Sequence, residues 1–265
     1  MTRNIELVIA YDGEGYCGWQ IQPDVRTVQG VLNQKLNKLL NERVKTLGAS
    51  RTDSGVHAHD QHVTFSMQNS IPIRSLERSL NHHLPEDIRL LRVREREPGF
   101  SARRSATGKH YIYLVTLGNS INPFFGRYSW SIERDLNIEL MAEATASFIG
   151  FNDFKSLQSM RDFRTNSYVH IQDAQIVIKN GVLLFHVIGH SFLYNMVRNM
   201  FGALLKVGVG EWDLTLFQRN LISGDRTKMG VTAPSKGLHL AQVFYGDGEM
   251  NMGIGLNAMF SHFRL

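Results

Sequence analysis

Tyr168-Val169-His170-Ile171-Gln172-Asp173-Ala174-Gln175-Ile176-Val177-Ile178-Lys179-Asn180-Gly181-Val182-Leu183-Leu184-Phe185-His186-Val187-Ile188 is the stretch whose reading decides the fold. Asn-Gly between two apolar runs is a hairpin signal, so residues 168–178 and 182–188 read as paired antiparallel strands. Working outward, residues 138–148 read as a helix on one side and residues 192–207 as an apolar helix on the other. Further out lie a strand at 110–117, with Tyr111 and Tyr113 on one face, and a strand at 238–245. An extra helix at 214–222 precedes that last strand. The order is β-α-β-β-α-β.

The N-terminal half repeats it. Ile5, Leu7 and Ile9 alternate along a strand that ends at the Asp12-Gly13 turn signal. Thr27 stands as an N-cap before Val28, Val31, Leu32, Leu36, Leu39 and Leu40, which recur at helical spacing. Strands follow near 44–48 and 59–67, a helix opens at Pro72 and runs to about 83, and a strand covers 88–93. The sequence therefore predicts an α+β fold of two ferredoxin-like, RRM-like units with mixed, mainly antiparallel sheets side by side and a central cleft. The expected boundaries are 1–103 for an N-terminal subdomain, 104–246 for a C-terminal one, and 247–265 for a tail holding Met250, Met252 and Met259. Four-stranded sheets of this order can offer an open face to unpaired RNA, though the fold also serves unrelated functions.

The composition bounds the function. The 265 residues are 43% apolar and 20% charged, with net charge +5 and a pI near 9.4, a balance that suits a polyanionic partner. The single cysteine, Cys17, excludes an internal disulfide framework and a cysteine-rich zinc site, and it fits the cytoplasm. No apolar stretch reaches membrane-spanning length, and residues 1–6 show no signal-peptide pattern.

The chemistry concentrates in Ala49-Ser50-Arg51-Thr52-Asp53-Ser54-Gly55-Val56-His57-Ala58, a polar loop between two strands. Arg51 would help keep Asp53 ionised, as an aspartate nucleophile requires, and Gly55 lets the backbone turn tightly. Composition alone favours a turn in which Asp53 bonds its own backbone. Residues 51–58 closely resemble the active-site motif of the TruA-type tRNA pseudouridine synthases. Further segments extend the likeness in family order: Tyr11-Asp12-Gly13 with Gly18-Trp19-Gln20, Thr27-Val28-Gln29, Leu84-Pro85-Glu86-Asp87-Ile88, Phe100-Ser101-Ala102-Arg103, Lys109 to Tyr113, Phe192 to Asn199, and Gly237-Leu238-His239-Leu240.

The resemblance implies roles and partners. Asp53 matches the nucleophile, Tyr111 a tyrosine stacking on the target base, and Arg198 an arginine pairing with the aspartate. Leu238 matches an apolar residue beside the uracil, and Arg51 a basic residue that helps extrude the base. It also implies a homodimer acting on uridines 38, 39 and 40 of the tRNA anticodon stem-loop, with no cofactor, no metal and no membrane. Arg26, Arg103, Arg104, Lys109, Arg161 and Arg164 are candidate RNA contacts, as is Lys155. The sequence departs from the family at Ser167-Tyr168, where an arginine is usual, at Arg104, where an aromatic is familiar, and at Met229 and Val231.

Two other readings compete. A non-catalytic module of two RRM-like units would fit the sheet order and charge, but gives no reason for Arg51, Asp53, Tyr111 and Arg198 to occur together. A metal hydrolase built on His57, His59 and His62 is disfavoured, since His62 would point away from the other two along a strand.

Overall fold

The computed structural model describes residues 2–118, 123–179 and 181–246. Residues 2–107 with 240–246 form one compact unit, and residues 108–239 form a second. The expected tail, 247–265, lies outside the described residues.

In the first unit, β1 (Arg3–Tyr11), α1 (Val28–Leu40), β2 (Leu47–Gly48), β3 (His57–Met67), α2 (Ile73–His83) and β4 (Ile88–Arg96) follow the predicted order. The sheet runs β4-β1-β3 with antiparallel pairing throughout, and β2 joins the far side of β3. Ile5 pairs with Phe65 and Leu7 with Val63, so these four share a face, and all are buried with Leu32, Leu36, Leu76 and Leu80 of the helices. Thr27 caps α1 as predicted, its hydroxyl accepting from Gly30 N–H at 3.2 Å. Strand β2 is far shorter than predicted. Asn37 takes the Val44 N–H at 2.6 Å, and Asn33 takes the N–H and hydroxyl of Thr46, so α1 side chains consume donors a ladder would use.

The second unit carries β5 (Gly108–Leu117), α3 (Pro123–Gly126), β6 (Trp130–Ile132), α4 (Ile138–Thr145), β7 (Gly150–Asp153), β8 (Tyr168–Lys179), β9 (Val182–Gly189), α5 (Met196–Gly208) and α6 (Leu214–Leu221). Its sheet runs β5-β9-β8-β7, antiparallel throughout, with β6 parallel to β5. The predicted hairpin is β8 and β9, with Gly181 at φ 77°. The apolar helix begins four residues later than predicted, at Met196, because Asn195 is left-handed at φ 61° and Asp162 captures the Tyr194 N–H at 2.8 Å. The helix read at 138–148 tightens to a 3₁₀ turn after Thr145. Strands β6 and β7 went unpredicted because three or four residues carry too little periodicity.

The last strand, β10 (Leu238–Phe244), starts in the second unit and ends in the first, beside β3. Three bonds fix its end there: Val243 N–H to Asp60 at 3.0 Å, Thr107 N–H to the Phe244 carbonyl at 2.9 Å, and the Tyr245 hydroxyl to the Ala102 carbonyl at 2.8 Å. The mixed α+β class is as predicted. Among the described residues no helix is long and apolar enough to cross a membrane.

Candidate active site

The polar loop between β2 and β3 is held in large part through its backbone. Gln61 brackets Ser50, accepting from its N–H at 3.1 Å and donating to its carbonyl at 2.7 Å. Thr52 is buried, and its hydroxyl bonds the Tyr11 phenol at 2.7 Å. The Thr52 carbonyl accepts from Trp19 N–H at 3.1 Å. The Tyr16 carbonyl accepts from both Gly55 N–H and the Ser54 hydroxyl at 3.2 Å. Val56 N–H returns to the Asp53 carbonyl at 3.2 Å, which closes a turn with Gly55 at φ 77°.

Glycines make this approach possible. A Cβ on Gly13 would lie 2.0 Å from the Val56 oxygen, and one on Gly18 would lie 2.8 Å from the Thr52 oxygen and 3.1 Å from the Asp53 carbonyl carbon. Two motifs that the resemblance only lists in order, residues 11–20 and 51–58, are thus one packed piece. Asp53 sits half-buried on it and Arg51 is exposed.

Tyr16 is itself anchored. Its hydroxyl donates to Asp87 at 2.5 Å, the Arg26 guanidinium lies 4.2 Å over its ring, and Arg26 pairs with Asp87 at 3.0 Å. Burial and then the neighbouring Asp87 charge push the Tyr16 phenol well above its ordinary range, so it stays a donor. Arg26, a candidate RNA contact by sequence, therefore has partners within the fold. Sequence reasoning missed Tyr16 and Asp87 as supports. Asp87 lies in a quoted motif and Tyr16 between two quoted segments, but nothing in spacing connects positions 71 residues apart.

The histidines serve the frame. His57 Nδ1 accepts from Gly13 N–H at 3.1 Å. His62 lies between Glu6, 2.7 Å away, and Asp60, 3.2 Å away, and Glu6 also accepts from Arg96 at 2.8 Å. Burial lowers the His62 pKa, but bonds to the two carboxylates outweigh it and the net shift is upward. Among the described residues no group of three or more His, Cys, Asp or Glu side chains could hold a metal ion.

In the second unit the site candidates stand on regular elements. Tyr111 lies on β5 opposite Val187, 6% exposed, with its ring 5.1 Å from Phe192 in an edge-to-face contact. Tyr113, two residues on, is a core residue: fully buried, stacked at 4.6 Å on Phe201, its hydroxyl donating to the Pro234 carbonyl at 2.7 Å. Arg198 projects from the first turn of α5, half-buried. Its Nε donates to the Ala233 carbonyl at 2.7 Å and its Nη1 to Asn195 at 3.0 Å. Leu238 is buried at the start of β10, directly after Gly237, where a Cβ would meet the Tyr113 ring at 2.7 Å.

A second support was also missed. Asp162 accepts from Arg164 at 2.6 Å and from Tyr194 N–H at 2.8 Å, while Arg164 reaches the Phe192 carbonyl at 3.2 Å. Burial alone would raise the Asp162 pKa; the Arg164 guanidinium and the two backbone N–H groups outweigh it and hold the carboxyl far below its usual range. This pair fixes the approach to α5, so Arg164 too is engaged internally. Arg103, Arg104 and Arg161 are exposed, Lys109 is half-buried in β5, and Lys155 bonds Gln158 at 3.0 Å. Of the family departures, Met229 is fully buried and Val231 is exposed, its carbonyl pressed where a Cβ on Gly202 would lie, 1.9 Å away.

Comparison with known proteins adds the identity. The chain is 42% identical over 242 residues to tRNA pseudouridine synthase A of Pseudothermotoga lettingae, covering 91% of this chain and 99% of that protein. It is 38% identical over 243 residues to the protein of the same name from Thermoanaerobacter sp., covering 92% of this chain and all of that protein. Among solved structures, the archaeal box H/ACA sRNP Nop10–Cbf5 complex matches at 12% identity and a TM-score of 0.31, over 88% of this chain and 59% of that one, too distant a likeness to bear on the reading. A family model described as tRNA pseudouridine synthase matches residues 7–102 and 144–246, a span that takes in the Asp53 loop, Arg198 and Leu238, and the chain belongs to that family.

Proposed function

We propose that this protein isomerises uridine to pseudouridine at positions 38, 39 and 40 of the tRNA anticodon stem-loop, with Asp53 as its nucleophile. Membership of the tRNA pseudouridine synthase family carries the reading. The reaction breaks the N1–C1′ bond, turns the uracil and joins C5 to C1′. It needs no redox change and no net addition. It does need a carboxylate in a fixed place, and the backbone clamp on residues 50–56 supports that role for Asp53.

The other roles follow from the chemistry. The target base must leave its stack, at a cost of a few kcal/mol, and Arg51, exposed beside Asp53, would help extrude it. Tyr111 offers a ring for the freed base, and Leu238 an apolar neighbour. Arg198 would pair with the aspartate, its guanidinium pre-oriented by Ala233 and Asn195. Asp53 has two routes, addition to C6 of the base or assistance to base departure at C1′. In the second, Tyr111 removes a sugar proton as general base. The protein acts in the cytoplasm as a homodimer, for which the single cysteine and the family likeness are the grounds.

The test is tRNA tritiated at uridine C5. Release of label to water is the expected result, and no release from several tRNAs would sink the enzyme reading in favour of an RNA-binding module.

A further inference from the structure

Strand β4 reads Ile88-Arg89-Leu90-Leu91-Arg92-Val93-Arg94-Glu95-Arg96. Perfect alternation would send Arg89 to one face of the sheet and Arg92, Arg94 and Arg96 to the other. The register with β1 shifts between Val8 and Ile9, inserting one extra residue at Leu91, so Arg89 pairs with Ala10, Arg92 with Val8, Arg94 with Glu6 and Arg96 with Asn4. Ala10, Val8, Glu6 and Asn4 alternate regularly, so the bulge gathers all four arginines on one face. That face is opposite Ile5, Leu7 and the two helices. The strand is also the outer edge of its sheet.

Three nearby acids are already committed. Glu95 is bound by Arg3 at 2.8 Å, and Glu6 lies between His62 and Arg96. Asp60 accepts from Val243 N–H, faces His62, and stands 3.9 Å from Arg92, whose side chain is 56% exposed. Arg89 and Arg94 are exposed as well. Arg92, Arg94 and Arg96 stand about 7 Å apart at i, i+2 spacing, and the bulge at Leu91 brings Arg89, three residues before Arg92, into the same row. Charged side chains also protect an edge strand from pairing with other chains, but scattered charges of either sign on either face would do that. A single-sign row on one face, brought into line by a bulge, suits a polyanionic strand.

We propose that Arg89, Arg92 and Arg94 form a phosphate-binding strip that tracks the backbone of the tRNA substrate away from the reacting uridine. The inference rests on the functional reading above and extends it to a surface that none of the recognised motifs includes. Contacts of this kind add affinity without reading bases, and each phosphate neutralised steepens the salt dependence of binding.

The experiment measures tRNA affinity against salt for the wild type, for Arg89→Gln/Arg92→Gln/Arg94→Gln, and for Arg43→Gln/Arg74→Gln/Arg78→Gln, which removes equal exposed charge elsewhere on the unit. The strip variant should bind at least about tenfold more weakly, with a log–log slope shallower by about 2 to 3, while the control shifts by less than about 1. Label release from saturated, pre-bound tRNA should keep the wild-type rate. A strip variant with the wild-type slope, or one matched by the control, overturns the strip while the functional reading stands. Wild-type protein that binds no tRNA at low salt overturns both.

Discussion

The two units hold their candidate site groups by opposite means. In the first, the Asp53 loop is fixed by backbone bonds to Trp19 and Tyr16 and by the close approach of Gly13 and Gly18. In the second, Tyr111 and Arg198 stand on β5 and α5, aimed by side-chain contacts to Phe192, Ala233 and Asn195. A loop clamped through its backbone tolerates changes of side chain but not changes of backbone shape. A group carried on a helix or strand can be exchanged with its frame intact.

The contrast breaks most sharply at Gly13. Gly13→Ala places a methyl 2.0 Å from the Val56 oxygen, and the loop must move. Label release should fall at least about 100-fold, since misplacement of about 1 Å costs that much. A near-wild-type rate would show that the clamp does not set the chemistry. In the second unit, Arg198→Lys replaces a planar fork bonded to two acceptors by a single ammonium. Single-turnover release should drop about 10-fold or more with the melting temperature nearly unchanged; a large fall in that temperature would mean the residue is part of the frame. Tyr111→Phe keeps the ring and should keep tRNA affinity, and an unchanged single-turnover rate would exclude its phenol as general base.

The histidines of the two units differ in their response to pH. His110 on β5 is 1% exposed, and burial followed by its neighbour His186 lowers its pKa to about 3. It folds neutral, so it penalises the fold as pH falls below the unfolded value of about 6.5 toward 3, by at most about 1.4 kcal/mol per pH unit. His62 is shifted the other way, so its contribution is complete below about 6.5 and is lost as pH rises through its folded value. Urea midpoints across pH should show His110→Phe flattening the acid limb and His62→Gln flattening the alkaline limb. Exchanged limbs would contradict the assignment. The smallest effect is expected at Tyr16→Phe, which removes one charge-assisted bond to Asp87 but leaves the Tyr16 carbonyl in place. About 1 to 2 kcal/mol of stability and a few-fold in rate should be lost; a 100-fold loss of rate would mean the phenol itself touches the substrate.

Periodicity made most of the fold legible, because the central hairpin and the long amphipathic segments bury one face each. It failed where side chains took over backbone donors, as Asn33 and Asn37 do ahead of β2, and where one left-handed residue, Asn195, delays a helix. The candidate residues were legible as motif matches. Their supports were not: Tyr16 with Asp87 and Asp162 with Tyr194 are long-range pairs that leave no trace in local pattern. Nor did alternation reveal the Arg89 to Arg96 row, since the bulge that aligns it is visible only in the register with β1.

Asp53 is the proposed nucleophile, held still by the rest of the loop. Asp53→Asn keeps the side chain's size and the backbone bonds of the loop. The direct measurement is single-turnover release of tritium from C5-labelled tRNA, with tRNA affinity measured on the same preparation. Release should fall below about one-thousandth of the wild-type rate with affinity within a few-fold, as expected when a nucleophile is lost but binding is spared. Release at the wild-type rate would contradict that role for Asp53.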